Sequence, residues 1–155
     1  MKNEMKLEIK AKSINEGFCR SVVGAFLAQL NPSLDELNDV KTAVSEAITN
    51  SVVHGYAGRD DGKIEVGVLI DKDLATIKIT DYGVGIKNIK QAREPFFTTR
   101  AEEERSGMGF TVMESFMDAL DVVSDAKKTV ITLKKRFNTA NLEIEEQEIL
   151  KFKAR

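Results

Sequence analysis

A carboxylate followed by two glycines at alternate positions, Asp81-Tyr82-Gly83-Val84-Gly85, closes a run in which Ala75, Ile77 and Ile79 alternate with polar residues. A period of two marks a strand with one buried face, so Asp81 falls where the chain must leave a sheet. A carboxylate in that position can accept a hydrogen bond from an exocyclic amine. The glycines behind it let the backbone turn away sharply, or let a flat ring approach where a Cβ would clash. Just upstream, Ile64, Val66, Val68 and Ile70 alternate in the same way, and Asp71-Lys72-Asp73 between the two runs reads as a turn, which makes the pair a hairpin.

Two other stretches complete the pattern. Asn31-Pro32 breaks the chain, Ser33-x-x-Glu36 reads as a capping box, and Leu34, Leu37, Val40, Val44, Ala47, Ile48 and Val52 carry an apolar stripe to about His54, with Gly55 as its stop. Glu46 and Asn50 sit four residues apart on this helix, which places a carboxylate and an amide on one face, roughly 6 Å apart along the axis. Downstream, Gly107-Met108-Gly109-Phe110 opens a helix whose stripe is Phe110, Met113, Phe116 and Met117. A helix N-terminus offers free N–H groups and a positive dipole end, which suits phosphates. Read jointly, the three stretches describe a nucleotide pocket.

The rest of the chain supplies the frame. Met5, Leu7, Ile9 and Ala11 alternate with charged residues as a strand, Ser13-x-x-Glu16 reads as a second capping box, and Phe18, Val22, Ala25, Phe26 and Gln29 follow at helical spacing with Arg20 on the exposed side. Between Glu94 and Ser106 there is no period of either kind, only Pro95, Phe96-Phe97, Thr98-Thr99 and the charge cluster from Arg100 to Arg105. Loops of this length inside compact domains are functional or disordered, and a lid over the pocket is the reading we favour. Leu120, Val122 and Val123, a turn from Asp125 to Lys128, and Thr129, Ile131 and Leu133 form a last hairpin. The element order predicts an α+β fold: a two-layer sandwich, mostly antiparallel mixed sheet covered on one face by helices. One domain spans 1–137, and 138–155 is a polar tail with a weak helical pattern at Leu142, Ile149, Leu150 and Phe152.

Composition prunes the alternatives. In 155 residues, 23 basic and 25 acidic side chains leave a net charge of -2, so no global field favours nucleic acid, and no direct nucleic-acid partner is expected. One cysteine, Cys19, excludes an internal disulfide, and one histidine, His54, leaves no basis for a zinc site. No apolar run is long enough to span a bilayer and the N-terminus does not read as a signal peptide, so the expected location is the cytoplasm, without a membrane partner. There is no P-loop, and Asp81-Tyr82-Gly83 lacks the H-R-D loop and V-A-I-K strand that would make it the D-F-G of a eukaryotic-type kinase.

The order E-x-x-x-N, D-x-G-x-G, G-x-G-F and a late-strand threonine resembles the ATP-binding fold of gyrase, Hsp90, histidine kinases and MutL, over roughly Met5 to Phe137. Within that superfamily Glu46-Ala47-Ile48-Thr49-Asn50-Ser51-Val52-Val53-His54-Gly55, Pro95-Phe96-Phe97-Thr98-Thr99 and Arg105-Ser106-Gly107-Met108-Gly109-Phe110 look like the anti-sigma-F factors of endospore-forming bacteria and their partner-switching serine kinase relatives. The resemblance implies an ATP-dependent serine protein kinase that is also an anti-sigma factor. Its partners would be a sigma factor, an anti-anti-sigma protein as phosphorylation substrate, and a second copy in a homodimer. It implies ATP or ADP and Mg²⁺ as cofactors. Asp81 would take the adenine amine with help from Thr129, Gly83 and Gly85 would shape the pocket, and Asn50 would supply an oxygen to Mg²⁺. Glu46 would act as general base, and Arg105 would neutralise charge near the γ-phosphate. Gly107 and Gly109 would give backbone N–H groups to the phosphates, and Thr98, Thr99, Ser106, Met108 and Phe110 would also bind the nucleotide. Separately from the resemblance, Arg20 on the exposed side of the first helix is a candidate partner contact. Lys128 stands where the family has a glycine before the threonine. Two other functions remain open on the residues: a nucleotide-gated binding module without transfer, and an ATP hydrolase in which the base activates water.

Overall fold

The computed structural model describes residues 1–95, 109–138 and 140–154, of which 140–146 by backbone alone. Five strands form one sheet in the order β1 (Lys2–Lys10), β2 (Lys63–Asp71), β3 (Leu74–Asp81), β5 (Thr129–Arg136) and β4 (Ala119–Ser124), and all four pairings are antiparallel. The period of two decides which side is covered. Ile64, Val66, Val68 and Ile70 of β2, Ala75, Ile77 and Ile79 of β3, and Ile131 and Leu133 of β5 are buried, whereas Glu65, Lys78 and Lys134 on the other face are exposed. Each such valine or isoleucine is worth about 1.5 to 3 kcal/mol in burial, and a slip of one residue would turn all of them to water. The register that carries Asp81 is therefore strongly specified.

Helices cover the apolar face. α1 (Ile14–Leu27) packs on β1, α2 (Leu34–Asn50) on β5 and α4 (Gly109–Phe116) on β4, with α2 touching both of the others. α3 (Ile89–Ala92) is a single turn capped by Asn88, and α5 (Ala140–Lys153) makes the tail helical. The capping box of α2 forms as expected. The Ser33 N–H donates to Glu36 Oε2 at 2.9 Å and the Glu36 N–H donates to Ser33 Oγ at 3.2 Å, an arrangement worth about 1 kcal/mol.

α1 departs from its sequence reading twice. Ser13 has helical dihedrals, φ -56° and ψ -31°, and makes no side-chain cap. A capping hydroxyl needs extended backbone, so the second box does not form. Glu16 is instead turned towards α2, where it accepts from the Ser45 hydroxyl, and it pairs with Arg20 at 3.9 Å. The buried face of α1 is also rotated by one position from the expected stripe: Cys19, Val23, Gly24 and Leu27 face the core, while Phe18 is 56% exposed. The helix is apolar on two overlapping stripes. Gly24, whose missing Cβ would lie 3.2 Å from Lys41 Cδ, allows α2 its close approach on the second.

Burial pushes the Cys19 thiol up to about 11, with the Glu16 charge adding to the effect. At pH 8 this lowers its thiolate fraction about a hundredfold relative to an unperturbed thiol, before access is considered. Iodoacetamide at that pH is expected to leave the native protein unlabelled and to label it fully in denaturant. Native labelling at the denatured rate would contradict the burial of α1 on this face.

Candidate nucleotide site at the end of β3

Asp81 is the last residue of β3 and is 1% exposed. It faces Ile64 on one side and Thr129 on the other, in direct register, and Ser124 of β4 follows in the same row. Opposed residues in an antiparallel pair bring their Cβ atoms about 4.5 to 5.5 Å apart, so the carboxylate and the threonine hydroxyl share one spot on the sheet. Thr129 is also 1% exposed, and its Oγ1 lies 2.7 Å from Ser124 Oγ.

The end of α2 closes over this row. After Asn50 the helix widens into a turn of π-helix, Ser51–Gly55, a distortion that recurs at functional positions. Its backbone lies directly on Asp81. A Cβ on Gly55 would stand 2.7 Å from Asp81 Oδ1, and a Cβ on Gly83 would stand 1.8 Å from the Gly55 carbonyl oxygen. That carbonyl accepts from the Val84 N–H at 2.9 Å, and the Gly83 N–H donates to Asp81 Oδ1 at 3.1 Å. Gly83 is thus required for close packing of backbone on backbone. Gly85 is required for its left-handed φ of 76° and its contact with the Asp125 carbonyl.

Burial raises the Asp81 carboxyl above the ordinary carboxylate range, against hydrogen bonds from the Gly83 N–H and the Ser51 hydroxyl that pull it down. The Ser51 hydroxyl also lies 3.3 Å from the Ala47 carbonyl, and with a single proton it serves one acceptor at a time. The Asp81 carboxylate has about four lone-pair sites, so the Gly83 and Ser51 donors leave acceptor capacity for a ligand amine.

Glu46 and Asn50 are half-buried on α2, one turn apart, and Asn50 adjoins Ser51. Of the expected residues, Asp81, Gly83, Gly85 and Thr129 lie at one end of the sheet, Asn50 directly precedes the turn that rests on Asp81, and Glu46 is one helical turn earlier. Gly109 and Phe110 open α4 against α2, with Phe110 and Met113 buried. Phe110 therefore has its side chain in the core, and what it can offer a ligand is backbone. Thr98, Thr99, Arg105, Ser106, Gly107 and Met108, with the lid reading, lie outside the described residues. Arg20 is exposed on α1 and pairs with Glu16.

Three side chains of the site escape the sequence reading: Ser51, Ser124 and Tyr56. Ser124 Oγ accepts from the Ile86 N–H at 2.8 Å and so ties the turn after Gly85 to Thr129. Lys128 needs no left-handed backbone. Asp125 organises the turn by accepting from the Lys127 and Lys128 N–H groups at 2.7 and 3.0 Å, which also holds its own carboxyl below the ordinary range. Among the described residues no cluster of three or more histidine, cysteine or acidic side chains is placed to hold a metal ion. The Asn50 amide oxygen is of the ligand type that a hard cation takes alongside phosphate oxygens and water.

A helix-covered antiparallel sheet with a buried carboxylate at a strand end defines a class, and residues 10–135 match the family described as histidine kinase-like ATPase domain. The fold agrees with that of the catalytic domain of the histidine kinase ThkA, with TM-score 0.57 at 12% identity over 87% of this chain and 97% of that one. It agrees also with a Mycobacterium tuberculosis structure of RsbU and RsbW domains, with TM-score 0.64 at 19% identity over 87% of this chain and 32% of the other. The anti-sigma F factor of Clostridium beijerinckii is 55% identical over 140 residues, 90% of this chain and 98% of the relative. That of Halalkalibacterium halodurans is 50% identical over 136 residues, 87% and 93% of the two chains. The chain belongs to the anti-sigma F factor family of histidine kinase-like ATPase domains.

Proposed function

We propose that the protein binds ATP at the end of β3 and acts as an anti-sigma factor that phosphorylates an anti-anti-sigma protein on serine. The observation that carries this reading is the buried Asp81 at the strand end, opposite Thr129 and beneath the turn that follows Glu46 and Asn50. Asp81 accepts from the adenine 6-amino group, and the Thr129 hydroxyl, oriented by Ser124, stands beside it. Asn50 would hold Mg²⁺, and the metal when bound would neutralise phosphate charge. Glu46 takes the proton from the incoming serine hydroxyl as its oxygen bonds to the γ-phosphorus and the bond to the β-phosphate oxygen breaks, with ADP leaving. Retention of a carboxylate at Glu46 favours transfer over a merely nucleotide-gated module, which has no use for a base there.

In this reading the partners are a sigma factor, its antagonist and a second copy of the chain. Arg20, exposed on α1, would be a contact to one of these partners.

The test is transfer of labelled γ-phosphate from Mg-ATP to a purified anti-anti-sigma protein. Label on its serine is the expected result. Binding of ATP without label on any such partner would reduce the protein to a nucleotide-gated binder.

Asp81→Asn separates binding from stability. Loss of a hydrogen bond to a charged acceptor costs about 1.5 to 3 kcal/mol, so ATP affinity is expected to fall roughly ten- to a hundredfold. Stability moves the other way. Because burial raises the folded-state pKa of Asp81 above its unfolded value, the folded chain holds that proton more tightly. Stability from this group is therefore present on the acid side and is lost as pH rises through the raised range. The asparagine carries no such penalty at pH 7, and the variant is expected to melt no lower than the wild type. Unchanged ATP affinity by calorimetry would remove Asp81 from the adenine site.

A further inference from the structure

The ladder between β2 and β3 does not close on a backbone pair. Ile64 and Asp81 are its last partners in register, and the next residues outward are Lys63 and Tyr82. The phenol of Tyr56 stands between these two. The Tyr82 N–H donates to Tyr56 Oη at 2.8 Å, and the Tyr56 hydroxyl donates to the Lys63 carbonyl. A hydroxyl relay thus occupies the place where a direct N–H to carbonyl bond would continue the sheet.

Considerable local structure is committed to holding that ring. Tyr56 is 4% exposed, and its N–H donates to the Ser51 carbonyl at 3.0 Å. The next two residues, Ala57 and Gly58, are both left-handed, with φ of 51° and 78°. An alanine adopts that conformation only against steric resistance, and such strain persists where the surroundings over-determine it. The reversal brings the chain back over the ring at Gly62, where a Cβ would lie 2.4 Å from Tyr56 Cε1.

The peptide that Tyr56 grips joins Asp81 to Tyr82. The following N–H, that of Gly83, donates to Asp81 Oδ1. Fixing the Tyr82 nitrogen therefore fixes the peptide plane on which the Asp81 carboxylate and the Gly83 turn are hung. We propose that Tyr56 is a positioning residue for purine selection: its hydroxyl holds the Asp81–Gly83 turn so that the carboxylate meets a 6-amino purine and rejects a 6-oxo purine. The inference rests on the reading of Asp81 as the adenine acceptor. A carboxylate facing a carbonyl oxygen places acceptor against acceptor, and discrimination of this kind depends on the group being unable to turn away. Removing the hydroxyl leaves the Tyr82 N–H and the Lys63 carbonyl to find each other or to go unpaired, and either result moves the turn.

The experiment is calorimetric titration of the full-length wild type, Tyr56→Phe and Gly62→Ala with ATP and with inosine triphosphate. The two ligands share ribose and triphosphate, so general loosening of the fold weakens both and leaves their affinity ratio alone. The wild type is expected to prefer ATP by roughly ten- to a hundredfold, and Tyr56→Phe to narrow that ratio about tenfold. Gly62→Ala, which keeps the hydroxyl and displaces the ring, is expected to narrow it likewise. A discriminating wild type beside a Tyr56→Phe protein with the same ratio would overturn the role of Tyr56 and leave Asp81 in place. A wild type that binds both triphosphates equally would overturn the adenine reading, and this inference with it.

Discussion

Replacing Glu46 with glutamine is expected to leave ATP affinity within about twofold of the wild type and to slow transfer to serine by about 10²- to 10⁴-fold, the usual contribution of a general base. The two side chains share shape and have nearly equal helix propensity, so α2 and its capping box are undisturbed. The negative charge and the capacity to take a proton are lost together. Glu46 lies one turn before Asn50, the residue proposed to hold the metal, and the π-helical turn that rests on Asp81 begins directly after Asn50. One continuous segment therefore carries Glu46 and packs on Asp81, so in the proposed reading a variant can separate chemistry from binding. Labelled-phosphate transfer alongside calorimetry reads both. Wild-type transfer by the variant would strike Glu46 from the role of base, and joint loss of binding and transfer would reassign it to the nucleotide.

The parts of this site legible in the sequence are those set by strong local rules. Alternation through Ile77 and Ile79 fixes Asp81 at a strand end, and the four-residue spacing of Glu46 and Asn50 fixes their common face. The capping box of α2 is read correctly because Ser33 follows a break at Asn31-Pro32 and meets extended backbone. The same motif at Ser13 fails because the chain enters α1 already helical there. A capping box states which atoms could meet, and only the tertiary approach of β1 to α1 decides the dihedrals. The rotated face of α1 has a similar cause. Two apolar stripes compete, and a glycine at position 24, which reads as a weakness in a helix, is what admits α2.

Ser51, Tyr56 and Ser124 escape sequence reasoning for another reason. A serine or tyrosine near a helix end or turn carries no period, and its function lies in partners 26 to 38 residues away, as in Tyr56 to Tyr82 and Ser124 to Ile86. Polar groups that brace a site through long-range hydrogen bonds become visible only when the backbone groups at that site are followed to their partners. The glycines lie between these cases. Their spacing announces a turn, but it is the packing of Gly83 against Gly55 that shows why no other residue suits.

Gly83→Ala is expected to be among the most damaging single-methyl changes at the site. The added carbon would fall 1.8 Å from the Gly55 carbonyl oxygen and 2.8 Å from its Cα, and both are backbone atoms of a buried turn that cannot rotate aside. Relief requires β3 to separate from the end of α2, which breaks the bond from the Val84 N–H to Gly55 and shifts the Gly83 N–H off Asp81. Overpacking of this kind costs about 1 to 3 kcal/mol or more, which corresponds to a fall of roughly 3 to 10 °C in melting temperature for a chain of this size. ATP affinity is expected to fall by more than the hundredfold upper figure for Asp81→Asn, because acceptor, turn and α2 terminus are displaced together. Thermal melting followed by circular dichroism, with calorimetry at a temperature where both proteins are folded, separates the two effects. A folded variant with wild-type affinity would mean that the closure of Gly55 over Asp81 is not needed for the site.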